Sequence, residues 1–217
     1  MKRKTRKNFC TAIFALALFI LWTIAVKVID VRSIGPEDSS VGFATINKFF
    51  HNLTGVHMSL YTITDWLSLV PIGFAVGFGM LGFIQLIKRK NILKVDYDIR
   101  VLGGFYIAVM AMYILFEIVV INYRPLHING VLEVSYPSST TMLVMCIIPT
   151  AIIQLNSRIQ KIGHKRIVSI ALSLFTAFMV IGRLFSGVHW LSDIIGGALL
   201  SIGLVMMYKT FISLKSE

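Results

Sequence analysis

Arg183-Leu184-Phe185-Ser186-Gly187-Val188-His189-Trp190-Leu191-Ser192-Asp193 joins two long apolar runs, near residues 167–184 and 190–209. About 20 mostly apolar residues cross a hydrocarbon core of about 30 Å, because each helical residue rises about 1.5 Å. Both runs are therefore of membrane length, and the quoted stretch predicts a tight turn at Gly187 between two membrane helices. Four more runs of this kind lie upstream, near 8–28, 66–87, 101–122 and 139–156. The predicted fold is all-α: a six-span transmembrane bundle forming one domain over residues 1–217.

Composition agrees. A soluble domain averages about 45–50% apolar and about 25% charged residues. This chain is 56% apolar and 14% charged, and its mean hydropathy is +0.80. The values exclude a disordered chain and argue against a soluble domain. The net charge of +11 would suit nucleic acid, but its placement points elsewhere. Of the 21 basic residues, 16 fall in the N-terminal tail (Lys2, Arg3, Lys4, Arg6, Lys7), in residues 88–100, in residues 158–166 and at Lys209 and Lys215. Six spans put these segments on one side, and five basic residues on the other. Such a bias marks the cytoplasmic face, so both termini are expected there and no nucleic-acid partner is implied. The tail resembles the n-region of a signal peptide. The apolar stretch after it is too long, and no small-residue cleavage site follows, so it is expected to be a retained span. Cys10 and Cys146 sit in apolar runs and form no metal or redox motif.

The longest outward loop is expected at 29–65. Its part from Val41 to Tyr61 is amphipathic and predicts a helix lying at the interface, with His51 and His57 as surface histidines. Pro71 and Pro149 fall inside spans two and four and predict kinks. Gly73, Gly77, Gly79 and Gly82, with Gly196, Gly197 and Gly203, predict close helix packing.

Ionisable groups at membrane depth are costly, and they face a wet cavity or a partner. Glu117, Arg124, Arg183, His189 and Asp193 all fall at the outward ends of spans three, five and six. His189 and Asp193 are four apart and would share a helix face. Asp193 would accept a hydrogen bond from one ring nitrogen of His189, leaving the other as nucleophile or base. Arg124 and Arg183 suit a phosphate clamp. Pro137-Ser138-Ser139-Thr140 opens span four, where hydroxyls and free N–H groups welcome an anion. No metal-ligand cluster or cofactor motif accompanies them.

These pieces resemble the type-2 phosphatidic acid phosphatase/haloperoxidase superfamily, in its membrane lipid phosphatase branch. That family carries K-x6-RP, PSGH and SR-x5-H-x3-D. The corresponding segments are Glu117 to Arg124-Pro125, then Pro137-Ser138-Ser139-Thr140, then Gly182-Arg183 to His189 and Asp193, with the resemblance covering about residues 35–210. It implies a phosphatase acting on a lipid phosphate at the extracytoplasmic face of a bacterial cell membrane, with no cofactor. His189 would form a phosphohistidine and Asp193 would orient it. Arg124, Arg183, Ser138 and the N–H of Ser139 would hold the phosphate oxygens.

Two positions depart from the family in charge or acidity. Glu117 replaces a phosphate-binding lysine; it is expected to pair with Arg124 or Arg183, or to be protonated at that depth. Thr140 replaces the histidine that protonates the leaving group. A missing acid costs about 10²–10⁴ in rate, least for a leaving phosphate whose second pKa is about 6. The preferred substrate is therefore expected to be a lipid diphosphate, such as undecaprenyl or another polyprenyl diphosphate. His127 is a candidate substitute proton donor, with a plain loop histidine as the simpler reading. Glu117 and Thr140 also motivate a second reading, a weakened relative that binds lipid phosphate without efficient turnover.

Overall fold

The computed structural model describes residues 3–215; Lys2 of the basic tail and the extreme ends of the domain lie outside them. Six segments are long and apolar enough to cross a membrane. They are α1 (Arg3–Val28), α3 with α4 (Met58–Leu67 and Leu69–Arg89), α5 (Tyr97–Ile118), α6 (Ser139–Arg158), α7 (Ile162–Phe185) and α8 (Leu191–Leu214). The fold is thus the expected six-span helical bundle. A short helix, α2 (Ala44–Thr54), precedes α3, and a two-residue antiparallel ribbon pairs β1 (Arg32–Ser33) with β2 (Ser40–Val41).

α6 and α8 form the centre of the bundle, each about half buried over its most apolar window, while the other spans show most of their surface to the outside. The apolar shell of the outer spans suits lipid. In the central pair, Met142, Cys146, Leu200 and Tyr208 pack into the main core with Phe105 of α5 and Phe19 of α1. Tyr136 joins the same core, stacked on Phe19.

Several boundaries differ from the sequence reading for local reasons. The expected interfacial stretch breaks into α2 and α3 at Gly55, whose φ of +69° is left-handed. The apolar column of the second span therefore begins at Met58, eight residues earlier than hydropathy suggested. Pro71 lies in the first turn of α4, three residues after Ser68, where the second span breaks into α3 and α4; its missing N–H cannot serve the Leu67 carbonyl, and the expected interruption falls there. The third span stops at Ile118 although Val119, Val120 and Ile121 continue its hydropathy. Beyond it the chain folds back on itself, with bridges at Tyr123–Val134 and Ile128–Val131.

The glycines divide. A side chain at Gly73, Gly77 or Gly79 would meet nothing, so these do not serve helix contact. Close packing is real at Gly82 against Ile99, and at Gly196, Gly197 and Gly203 of α8, which face Tyr136, Ser138 with Thr141, and Leu16. The helix that must let neighbours approach is the central one.

Candidate active site

The N-terminal ends of α6 and α8, the C-terminal end of α7, α3 and the 119–138 loop converge at one end of the bundle. The turn between α7 and α8 is held by Gly187, at φ +71°. A Cβ there would lie 2.2 Å from the Gly55 carbonyl oxygen, so glycine permits both the backbone and the contact with the α2–α3 junction. A hydrogen bond from His57 N to Ser186 O at 3.0 Å closes the same contact.

Asp193 anchors the base of the site. It is fully buried and caps its own helix by accepting from Trp190 N at 3.0 Å. Its Oδ2 also accepts from Ser135 Oγ at 2.5 Å. Its Oδ1 accepts from Asn122 Nδ2 at 3.0 Å and from Ser192 Oγ at 3.3 Å. Carboxylate charge at a helix N-terminus is favourable, and every oxygen here is satisfied, as a buried charge requires. The supporting residues are themselves fixed. Asn47 of α2 bonds Ser192 Oγ at 2.9 Å, and Trp22 of α1 donates to Ser192 O at 3.0 Å.

The expected direct bond between His189 and Asp193 is replaced by a relay. His189 precedes α8, so the two do not share a helix face; the Asp193 carboxylate is turned back to cap Trp190. Ser135 stands between them, with its hydroxyl 2.9 Å from His189 Nδ1. Because that hydroxyl donates to Asp193, it can only accept from His189, which places the imidazole proton on Nδ1. His189 is 4% exposed. Burial, and then the charges of Arg124 and Arg183, hold its pKa well below the ordinary imidazole range. Its buried Nε2 has no hydrogen-bond partner among the described residues.

Arg124 and Arg183 face the ring of Tyr61 on α3, with guanidinium carbons 5.9 and 4.7 Å from its centroid. Both are buried, and in both Nε and Nη1 lack partners among the described residues. In both, Nη2 is held by a carboxylate at 3.0 Å: Glu133 for Arg124 and Asp65 for Arg183. These pairings correct the expectation for Glu117. It lies on the exposed side of α5 and lines a small cavity with Tyr113, Ser135 and Ser139, while the arginines find other partners. Thr140 Oγ1 accepts from Arg183 Nη2 at 2.6 Å. Ser138 is buried as the N-cap of α6, its N–H donating to Asp193 O at 3.0 Å. Ser139 is half-buried in the first turn. His127 is exposed and held by Glu37 at 3.0 Å, so it is not brought to His189 as a proton donor. His51 packs its ring on Trp190, with centroids 5.5 Å apart, and burial lowers its pKa; it is not a plain surface histidine.

Two arginines, a relay-held histidine and a capping aspartate thus meet at one end of a six-span bundle. Residues 119–216 match the PAP2 superfamily. The PAP2 region thus contains the histidine, the aspartate and both arginines, but neither Tyr61 nor Asp65. The fold is shared with the crystal structure of a transmembrane PAP2 type phosphatidylglycerolphosphate phosphatase from Bacillus subtilis. The TM-score is 0.56 at 18% identity, over 94% of this chain and 96% of that one. No curated protein matches. With six helices long and apolar enough to cross a membrane, in a fold shared with a transmembrane protein, the chain is an integral membrane protein.

Five residues of the site escaped the sequence reading: Ser135, Asn122, Tyr61, Asp65 and Glu133. Asp65 had the clearest trace, a carboxylate at the outward edge of the second apolar run. Two arginines at membrane depth call for anions, and Asp65 stands at the edge of an apolar run, where a carboxylate needs a partner.

Proposed function

We propose that this protein is a membrane-embedded phosphatase that hydrolyses a lipid phosphate, and a lipid diphosphate in preference, through a phosphohistidine. The observation that supports it best is the setting of His189: held at Nδ1 by Ser135, which Asp193 fixes in turn, with Nε2 unpartnered among the described residues and two partly unpaired guanidinium groups in the same site. Nε2 attacks phosphorus, an N–P bond forms, and the P–O bond to the leaving group breaks with its electron pair. Water then attacks the phosphohistidine, releasing orthophosphate and restoring Nε2. Asp193 orients the ring through Ser135 and stabilises the charge that develops on it. Arg124 and Arg183 hold the phosphoryl oxygens, with Ser138 and Ser139 at the head of α6 beside them.

The diphosphate preference rests on Thr140. Its hydroxyl is engaged by Arg183 and supplies no acid, so a leaving group that needs little protonation is favoured. The basic ends of the helices lie opposite the site, which supports an extracytoplasmic site with both termini in the cytoplasm of a bacterial cell. The second reading, a lipid-phosphate binder with weak turnover, is favoured by the carboxylate on each arginine. Phosphate release by detergent-purified protein from a panel of lipid mono- and diphosphates tests both. The phosphatase releases phosphate fastest from diphosphates and loses it in His189→Ala. Faster turnover of phosphatidic acid overturns the preference. Release unaffected by His189→Ala overturns the mechanism, and bound lipid phosphate without release selects the binder.

A further inference from the structure

We infer that Asp65 is a carboxylate latch on the phosphate clamp, exchanged for a phosphoryl oxygen when substrate binds. The inference rests on the phosphatase reading above and concerns a residue outside the matched 119–216 region. A guanidinium grips an anion best with two parallel N–H groups. Its two bidentate edges, Nε with Nη2 and Nη1 with Nη2, share Nη2. Arg183 Nη2 carries two N–H groups, and both are taken: one by Asp65 Oδ1 at 3.0 Å, the other by Thr140 Oγ1 at 2.6 Å. With Asp65 in place, Arg183 offers only single bonds from Nε and Nη1, both buried and without partners among the described residues. Neither edge is complete.

The opposite partner explains why Asp65 is the mobile half. Arg183 is 2% exposed and pinned against the Tyr61 ring. The Asp65 side chain is 55% exposed, near the end of α3, so it has room to swing away from Arg183. That ion pair holds Arg183 through one nitrogen and a single carboxylate oxygen. A phosphoryl oxygen completing a bidentate contact returns more than that single contact. Arg124 is built differently: among the described residues its Nη2 meets Glu133 and no second partner, so one N–H of that nitrogen remains for a ligand. Asp65 therefore sets how tightly phosphate is held, and it limits the grip on the product.

Asp65→Asn keeps the shape and removes the charge. Calorimetry of the detergent-purified full chain with orthophosphate, alongside kinetics on a lipid diphosphate, reads the effect. The Asn protein is expected to bind orthophosphate about tenfold tighter, the gain of one charge-assisted hydrogen bond. KM falls in parallel while kcat does not rise, and Asp65→Glu restores wild-type affinity. Asp65→Ser carries the same test should the Asn protein not fold. Equal or weaker binding by the uncharged variants overturns the latch and makes Asp65 a structural pin for Arg183. If the wild type binds orthophosphate and releases phosphate through His189 while the uncharged variants bind no tighter, only the latch falls. If none of these proteins binds orthophosphate, the latch and the phosphatase reading fall together.

Discussion

The base of the site and its rim are built from the same residue types, yet they behave as opposites. At the base, Asp193 accepts four hydrogen bonds, and His189 is 4% exposed. Its partners Ser135, Asn122 and Ser192 are all buried. At the rim, the carboxylates facing Arg124 and Arg183 are 41% and 55% exposed. A buried charge with every lone pair satisfied cannot move without a large cost, whereas a half-exposed carboxylate can leave a buried arginine when another anion takes its place. The base keeps a ring in one tautomer; the rim is where the proposed phosphate would enter and leave.

The largest effect should come from cutting the relay. Ser135→Ala removes the hydroxyl that links His189 to Asp193, and kcat is expected to fall about 10²-fold. Orthophosphate affinity should stay within about twofold, because the arginines are untouched. A parallel loss of affinity would show that base and rim are one unit. A smaller loss is expected from Arg183→Lys. Lysine is a point charge that cannot present a fork or stack on Tyr61, so orthophosphate affinity should drop about tenfold in a titration, with the relay intact. Smallest is Glu133→Gln. Arg124 already has an N–H to spare, so affinity should rise about twofold, clearly less than in Asp65→Asn. An equal rise in the two variants would erase the distinction between the two arms of the rim.

Much of the base was legible along the chain. The spacing of Arg183, His189 and Asp193 survives folding because it lies within one helix end and one tight turn. What failed was the contact between His189 and Asp193. A spacing of four implies a shared face only inside a helix, and His189 sits one residue before the N-cap. The rim was less legible. Asp65 is 118 residues from Arg183, and nothing local to either residue states that they meet. Glu117, near in sequence to Arg124, was the natural candidate partner. The helix ends at Ile118, however, and the chain then turns back through the Tyr123–Val134 bridge, which carries Arg124 to Glu133 instead.

The sequence by itself determined the six spans, the side on which positive charge accumulates and the end of the bundle where polar groups gather. These follow from hydropathy and the cost of charge in lipid, which act on each segment separately. Only the tertiary structure decided that Ser135 relays His189 to Asp193, that Thr140 and Asp65 share one nitrogen of Arg183, and that Tyr61 lies between the arginines. Those contacts join helices far apart in the chain. Their geometry is set by how α3, α6, α7 and the 119–138 loop pack around the head of α8, and no local pattern encodes that packing.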